Sequence, residues 1–138
     1  VNQDKLGRIK VHFHWNKDGK KDENSSCWIP VAQPTASNGF GVQFIPRIGD
    51  EVLVSFIDGD PDRPVISGSI YNGKNKPPYS AATQSGIKTR STPKGSSNTA
   101  NELRFEDKKD KEEVFLQAEK DFNINVKNDL KQTIKGPA

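Results

Sequence analysis

The sequence predicts an all-β protein in two parts: a small five-stranded antiparallel barrel over residues 1–71, and a run of repeated strands over residues 102–138. Three observations predict this. Short apolar segments with a two-residue period recur in residues 1–71 and are separated by turn residues at close spacing. From Glu113 to Ile134 nearly every apolar residue falls on an even position, and the odd positions are polar except Phe115. Finally, apolar residues at helical spacing behind a capping residue are absent throughout.

The first strand is expected from Arg8 to Trp15, with Ile9, Val11, Phe13 and Trp15 on one face and Arg8, Lys10, His12 and His14 on the other. Asp18-Gly19 marks a tight turn in the polar loop that follows. Cys27 to Ala32 reads as a second, more apolar strand, with Cys27 expected as a buried thiol. Val42 to Ile45 is a short strand ended by Pro46. Glu51 to Ile57 and Val65 to Tyr71 are two further strands joined by the turn Asp58-Gly-Asp-Pro-Asp-Arg-Pro64.

Residues 72–101 have the composition of a linker, rich in Gly, Pro, Ser, Thr, Asn and Lys, with one short strand expected over 84–91. Leu103 and Phe105 alternate in a strand starting at Glu102, and Asp107 to Lys111 is a charged turn. A period of eight then overlies the period of two. Lys120-Asp-Phe-Asn-Ile-Asn-Val-Lys127 aligns with Asn128-Asp-Leu-Lys-Gln-Thr-Ile-Lys135, and Glu112 to Glu119 aligns with both. A lone strand can neither bury such an apolar row nor pair its backbone groups. The expected interior of an assembly is therefore the even row: Val114, Leu116, Ala118, Phe122, Ile124, Val126, Leu130, Gln132 and Ile134. Gln132 stands where Leu116 and Ile124 stand in earlier repeats, so a polar layer is expected there.

Composition limits the function classes. With 31% apolar and 28% charged residues, only part of the chain can form a compact core. The net charge of +3 comes from residues 80–101, where Lys88, Arg90 and Lys94 have no acidic neighbour. A nucleic-acid binder concentrates cations on a folded face, and this chain puts its surplus in a polar connector. The single Cys27 precludes an internal disulfide, and no apolar run approaches the roughly 20 residues of a membrane span. The chain starts on Val1 and contains no Met, so we read it as a piece of a longer protein.

Candidate chemical sites are thin. His12 and His14 form a His-x-His pair with Cys27 as the only further soft ligand, short of the three or four that zinc takes; no metal site is expected. Asp58, Asp60 and Asp62 have the spacing that opens a calcium loop, but Arg63 replaces its glycine and Ser69 its closing Glu, which leaves a hairpin turn. No Ser lies in a nucleophile elbow, Glu112-Glu113 and Asp22-Glu23 lie in hydrophilic stretches, and no phosphate loop is framed. We therefore expect no catalytic residues and no cofactor.

Three runs carry a resemblance to a known family: Gly7-Arg-Ile-Lys-Val-His-Phe-His-Trp15, Gln43-Phe-Ile-Pro-Arg-Ile-Gly-Asp-Glu-Val52, and Gly59-Asp-Pro-Asp-Arg-Pro-Val-Ile-Ser-Gly68 with Tyr71-Asn-Gly. They resemble the OB-fold module of the VgrG family, the spike proteins of bacterial type VI secretion. Gln84 to Arg90 and Glu102 to Asp107 resemble the segment that follows, and the octads resemble the start of the family's trimeric β-helical needle, itself similar to contractile phage tail spikes. The octads depart from the phage pattern in lacking glycine, with Asp121 and Asn128-Asp129 at corner-like positions.

The resemblance implies an OB-fold barrel followed by an intertwined trimeric β-helix or β-prism. It also implies a homotrimeric piercing device on a tube of Hcp protein, tipped by a PAAR-type protein, carrying effector proteins and passing transiently through membranes. Its location would be the bacterial cytoplasm before firing, then the exterior or the target cell. The alternative expectation is an OB-fold binding module for nucleic acid or carbohydrate, trimeric only incidentally.

Overall fold

The computed structural model describes residues 3–14 and 27–137. Trp15, the Asp18-Gly19 turn and the Asp22-Glu23 pair lie outside the described residues. The chain divides into two compact units, Val1–Pro77 and Pro78–Ala138. Both are β structures with antiparallel sheets. The only helical segment among the described residues is a single 3-10 turn, Ile57–Gly59.

In the first unit, β1 (Glu51–Phe56) pairs antiparallel with β2 (Pro64–Ile70). The register slips between Leu53 and Val54, which face Gly68 and Ile66, so Ser67 is the extra residue of a bulge. Its hydroxyl accepts a hydrogen bond from Ser55 Oγ at 3.0 Å. The connecting turn uses its aspartates as expected. Asp58 takes a left-handed conformation (φ 54°), and Asp60 Oδ1 accepts the Asp62 N–H at 2.9 Å.

The other three expected strands of this unit are not regular strands; they join by single bridges. Ile9 and Ile29 exchange both backbone hydrogen bonds, at 2.9 and 2.7 Å. Val31 bridges Ile66 in parallel, with Ile66 N–H on the Pro30 carbonyl and Ala32 N–H on the Ile66 carbonyl. Pro30 and Pro34 have no N–H to donate, which prevents a continuous ladder here. Residues 42–45 have no bridge of their own: Val42 N–H donates to the Thr35 carbonyl at 3.0 Å, and the Gln33 amide donates to the Phe44 carbonyl and accepts its N–H, at 2.8 and 3.0 Å.

The core follows the predicted alternation. Ile9, Ile29 and Ile66 are buried, with Val11, Phe13, Val31, Ile45, Val52 and Val54 packed around them. Cys27, expected inside, is exposed. Cys27 lies on a bend two residues before the Ile9–Ile29 bridge.

The second unit is a three-stranded meander of β3 (Gln84–Lys88), β4 (Glu102–Glu106) and β5 (Glu113–Gln117), in the order β3-β4-β5. The segment with linker composition, 72–101, is shared between the units, and residues 78–101 fall in the second. There the chain past β3 continues the hairpin: Thr89 N–H donates to the Asn101 carbonyl at 2.9 Å and Ser91 N–H to that of Thr99 at 3.0 Å. Glycine is required at Gly86, because a Cβ there would overlap the Leu103 carbonyl oxygen across the ladder. Residues 118–137 have no strand partner within the described chain, and residues 121–137 are all exposed.

Candidate functional site: an uncovered apolar face

The β3-β4-β5 register decides which side chains share a face. Ile87, Leu103 and Leu116 are cross-strand neighbours, as are Ser85, Phe105 and Val114. Directly paired residues point to the same side of a sheet, so these six form one face. The opposite face carries Gly86, Arg104 and Phe115, then Lys88, Glu102 and Gln117, then Gln84, Glu106 and Glu113.

Burial is inverted with respect to chemistry. The charged face is covered at its middle: Glu102 is 7% exposed, and Arg104, Phe115 and Gln117 are half-buried, while Lys88 and Glu113 are exposed. The apolar face is mostly bare, with Val114 at 69%, Leu116 at 58%, Ile87 at 49% and Phe105 at 39% exposure, and Leu103 half-buried. The covered charges are satisfied. Tyr79 Oη donates to Glu102 Oε2 at 2.7 Å, and Arg104 Nη1 donates to the same oxygen at 3.2 Å. Arg104 also reaches Glu113 at 3.5 Å, and its guanidinium lies 4.4 Å from the centre of the Phe115 ring. A buried carboxylate is tolerable only with such partners.

At the end of β5 the chain is clamped before it leaves the sheet. Ala100, almost fully buried, donates its N–H to Glu119 Oε1 and accepts from Gln117 Nε2, both at 3.0 Å. Glu119 N–H in turn donates to Asn101 Oδ1 at 2.8 Å. At the other end, Glu106 is held below the ordinary glutamate range by hydrogen bonds from the Thr83 side chain, the Lys108 N–H, the Gln84 side chain and the Asp107 N–H.

The expected interior residues all lie on this second unit. Val114 and Leu116 stand on the bare face, Ala118 is half-buried, and Phe122, Ile124, Val126, Leu130, Gln132 and Ile134 are exposed on the unpaired extension. Three residues of the bare face, Ile87, Leu103 and Phe105, are absent from the even row. Their positions are odd because the β4-β5 register pairs odd with even residues, whereas the β3-β4 register pairs odd with odd.

The polar candidates in the first unit do not converge. His14 is exposed with Nε2 3.2 Å from Glu51 Oε2, whereas His12 Nδ1 is buried without a hydrogen-bond partner. Lys10 lies over the Trp28 ring at 4.8 Å. Asp4 is drawn up by desolvation, but hydrogen bonds from the Arg8 backbone and side chain and from the Leu6 N–H outweigh this and lower its pKa. Among the described residues no three His, Cys, Asp or Glu side chains are grouped to hold a metal.

The first unit, with a small buried core, is thus followed by strands whose apolar face is largely uncovered among the described residues. Residues 1–71 match the type VI secretion system/phage-baseplate injector OB domain, and the chain belongs to that family. Residues 85–137 match the bacteriophage T4 gp5 C-terminal trimerisation domain. Among relatives, type VI secretion system spike protein VgrG1b of Pseudomonas aeruginosa is 52% identical over 91% of this chain and 17% of its own length. VgrG1a of the same species is 48% identical over 95% of this chain and 21% of its own length. The actin cross-linking toxin VgrG1 of Vibrio cholerae is 42% identical over 96% of this chain and 12% of its own length. The chain thus spans about a fifth or less of these relatives.

Proposed function

We propose that the chain is the neck of a homotrimeric type VI secretion spike, structural in role, in which the even row from Val114 to Ile134 becomes the interior of a three-chain β-prism. The observation that carries this reading is the uncovered apolar row that starts on β5 and continues along residues 118–137, which have no strand partner among the described residues. Each buried apolar side chain stabilises by roughly 1.5–3 kcal/mol before entropy. Interchain strands would also satisfy the backbone and remove free edges. The match to a trimerisation domain over residues 85–137 supports the same stoichiometry. In this prism Gln132 faces its copies or a water, since a buried amide needs a partner.

In the longer protein, the spike would sit on an Hcp tube, take a PAAR-type tip and carry effectors. It would wait in the bacterial cytoplasm and be driven through membranes out of the cell or into a target. Catalysis, where a longer protein has it, lies in this reading outside the segment; the toxin name of one relative belongs to a protein of which this chain matches 12%.

The test is solution mass by light scattering after size exclusion. A mass near three times 15.3 kDa supports the trimer. A clean monomer that binds oligonucleotide in a salt-dependent manner would replace this reading with the binding module.

A further inference from the structure

We propose that the outer edge of β3 is a docking site for an acidic extended segment of a different protein, which adds to the sheet as a further strand. In the order β3-β4-β5 this edge lies on the opposite side of the sheet from β5, the strand that leads into the octads.

The ladder decides which backbone groups face outward. The Thr83 carbonyl accepts from Asp107 N–H, Thr89 N–H donates to the Asn101 carbonyl, and Ser91 N–H donates to that of Thr99. The odd positions of this strand therefore bond to β4. In an antiparallel pair the alternate residues turn both backbone groups the other way. Gly86 and Lys88 thus present N–H and C=O on the outer edge, where β3 has no neighbouring strand among the described residues. Such a row is a template for one more strand.

The side chains decide which strand. Lys88 and Arg90 stand two residues apart on one side of the chain, both exposed, and Lys94 follows in the turn. The acids of that face are held by other groups: Glu102 by Tyr79 and Arg104, and Glu113 by Arg104. Residues 80–101 contain no acid at all. On the other side of the strand, Ile87 is 49% exposed. An incoming strand with carboxylates at alternate positions and apolar residues between them sets its charges beside Lys88 and Arg90 and an apolar side chain beside Ile87.

The edge offers carbonyl acceptors as well as donors. A phosphate, itself an acceptor, leaves those carbonyls unused, so the occupant is a peptide. The chain's own extension lacks the charge: residues 121–137 carry Lys127, Lys131 and Lys135 against Asp121 and Asp129.

The full chain and two labelled synthetic peptides test this, one alternating Glu with Val and one alternating Lys with Val. Fluorescence anisotropy is expected to show binding of the Glu-Val peptide alone, weakened about tenfold by the double change Lys88→Glu, Arg90→Glu and weakened also by added salt. Amide hydrogen exchange followed by NMR is expected to slow at Gly86 and Lys88 when the peptide binds. Equal binding by the parent and the double variant, or no binding to the parent, overturns the inference. So does protection of both amides in the parent without peptide, which would mean that the edge is already covered. None of these outcomes alters the solution mass, so the spike reading stands or falls separately.

Discussion

The two units use the same two-residue alternation and send it in opposite directions. In the first, Ile9, Ile29 and Ile66 turn inward onto one another, and the polar alternates Arg8, Lys10 and His12 are left half-buried and His14 exposed. In the second, the apolar alternates Val114 and Leu116 meet solvent while Glu102 is buried. Periodicity therefore says which residues share a face, and it is silent on which chain covers that face.

The sharpest way to break the comparison is to charge each apolar set in turn. Ile66 is fully buried at the centre of the first unit, and Ile66→Asp places an unpaired charge there. We expect a loss of at least about 4 kcal/mol, enough to unfold this unit. Both tryptophans, Trp15 and Trp28, lie in it, so fluorescence reads its unfolding directly. Ile124→Asp is the counterpart in the second unit. It is expected to abolish the trimer by mass while leaving Trp fluorescence and its melting unchanged. A Trp signal lost with Ile124→Asp would show that the first unit depends on assembly and would erase the distinction.

How far the sequence carried this reading follows from the same contrast. The β1-β2 hairpin was legible because alternation and turn chemistry agree: Val52 and Val54 flank the core, and Asp60 closes the turn. The even row from Val114 to Ile134 rests on its two-residue period, broken only at Lys120, Asn128 and Gln132, and its apolar members are exposed except Ala118, which is half-buried. Cys27 was misread because an apolar residue type and apolar neighbours do not by themselves fix which side chains a core covers. The folding of residues 89–101 was hidden because its order comes from backbone pairing across a polar hairpin, which composition alone cannot distinguish from a loop. Ile87, Leu103 and Phe105 were missed as face members because the β4-β5 register pairs odd with even positions, and the register was not known.

A smaller effect is expected where the second unit covers its charges. Tyr79→Phe removes one of the two side-chain donors to Glu102 and leaves a buried carboxylate with Arg104 alone. We expect a cost of about 1–3 kcal/mol in the stability of this unit, measured by denaturant unfolding followed by far-ultraviolet dichroism. No change would mean that the covered charged face contributes nothing to holding the sheet, and that the bare face alone decides its fate.

The smallest expected effect concerns pH and the β4–β5 turn. Glu106 is held below the ordinary glutamate range by donors from Thr83, Lys108, Gln84 and Asp107, so its folded value lies under its unfolded one. The stability it contributes is fully present above the unfolded value and is lost as the pH falls through the folded value. Glu106→Gln removes that dependence. The variant is therefore expected to melt lower than the parent at neutral pH, with the gap closing in strong acid, where the parent carboxylate is also protonated. Because Glu106 lies on the charged face, the change should leave the solution mass untouched. If the gap stays constant across pH while the trimer is lost, Glu106 acts through assembly, and the division between a covered charged face and a bare apolar face would have to be redrawn at this end of the sheet.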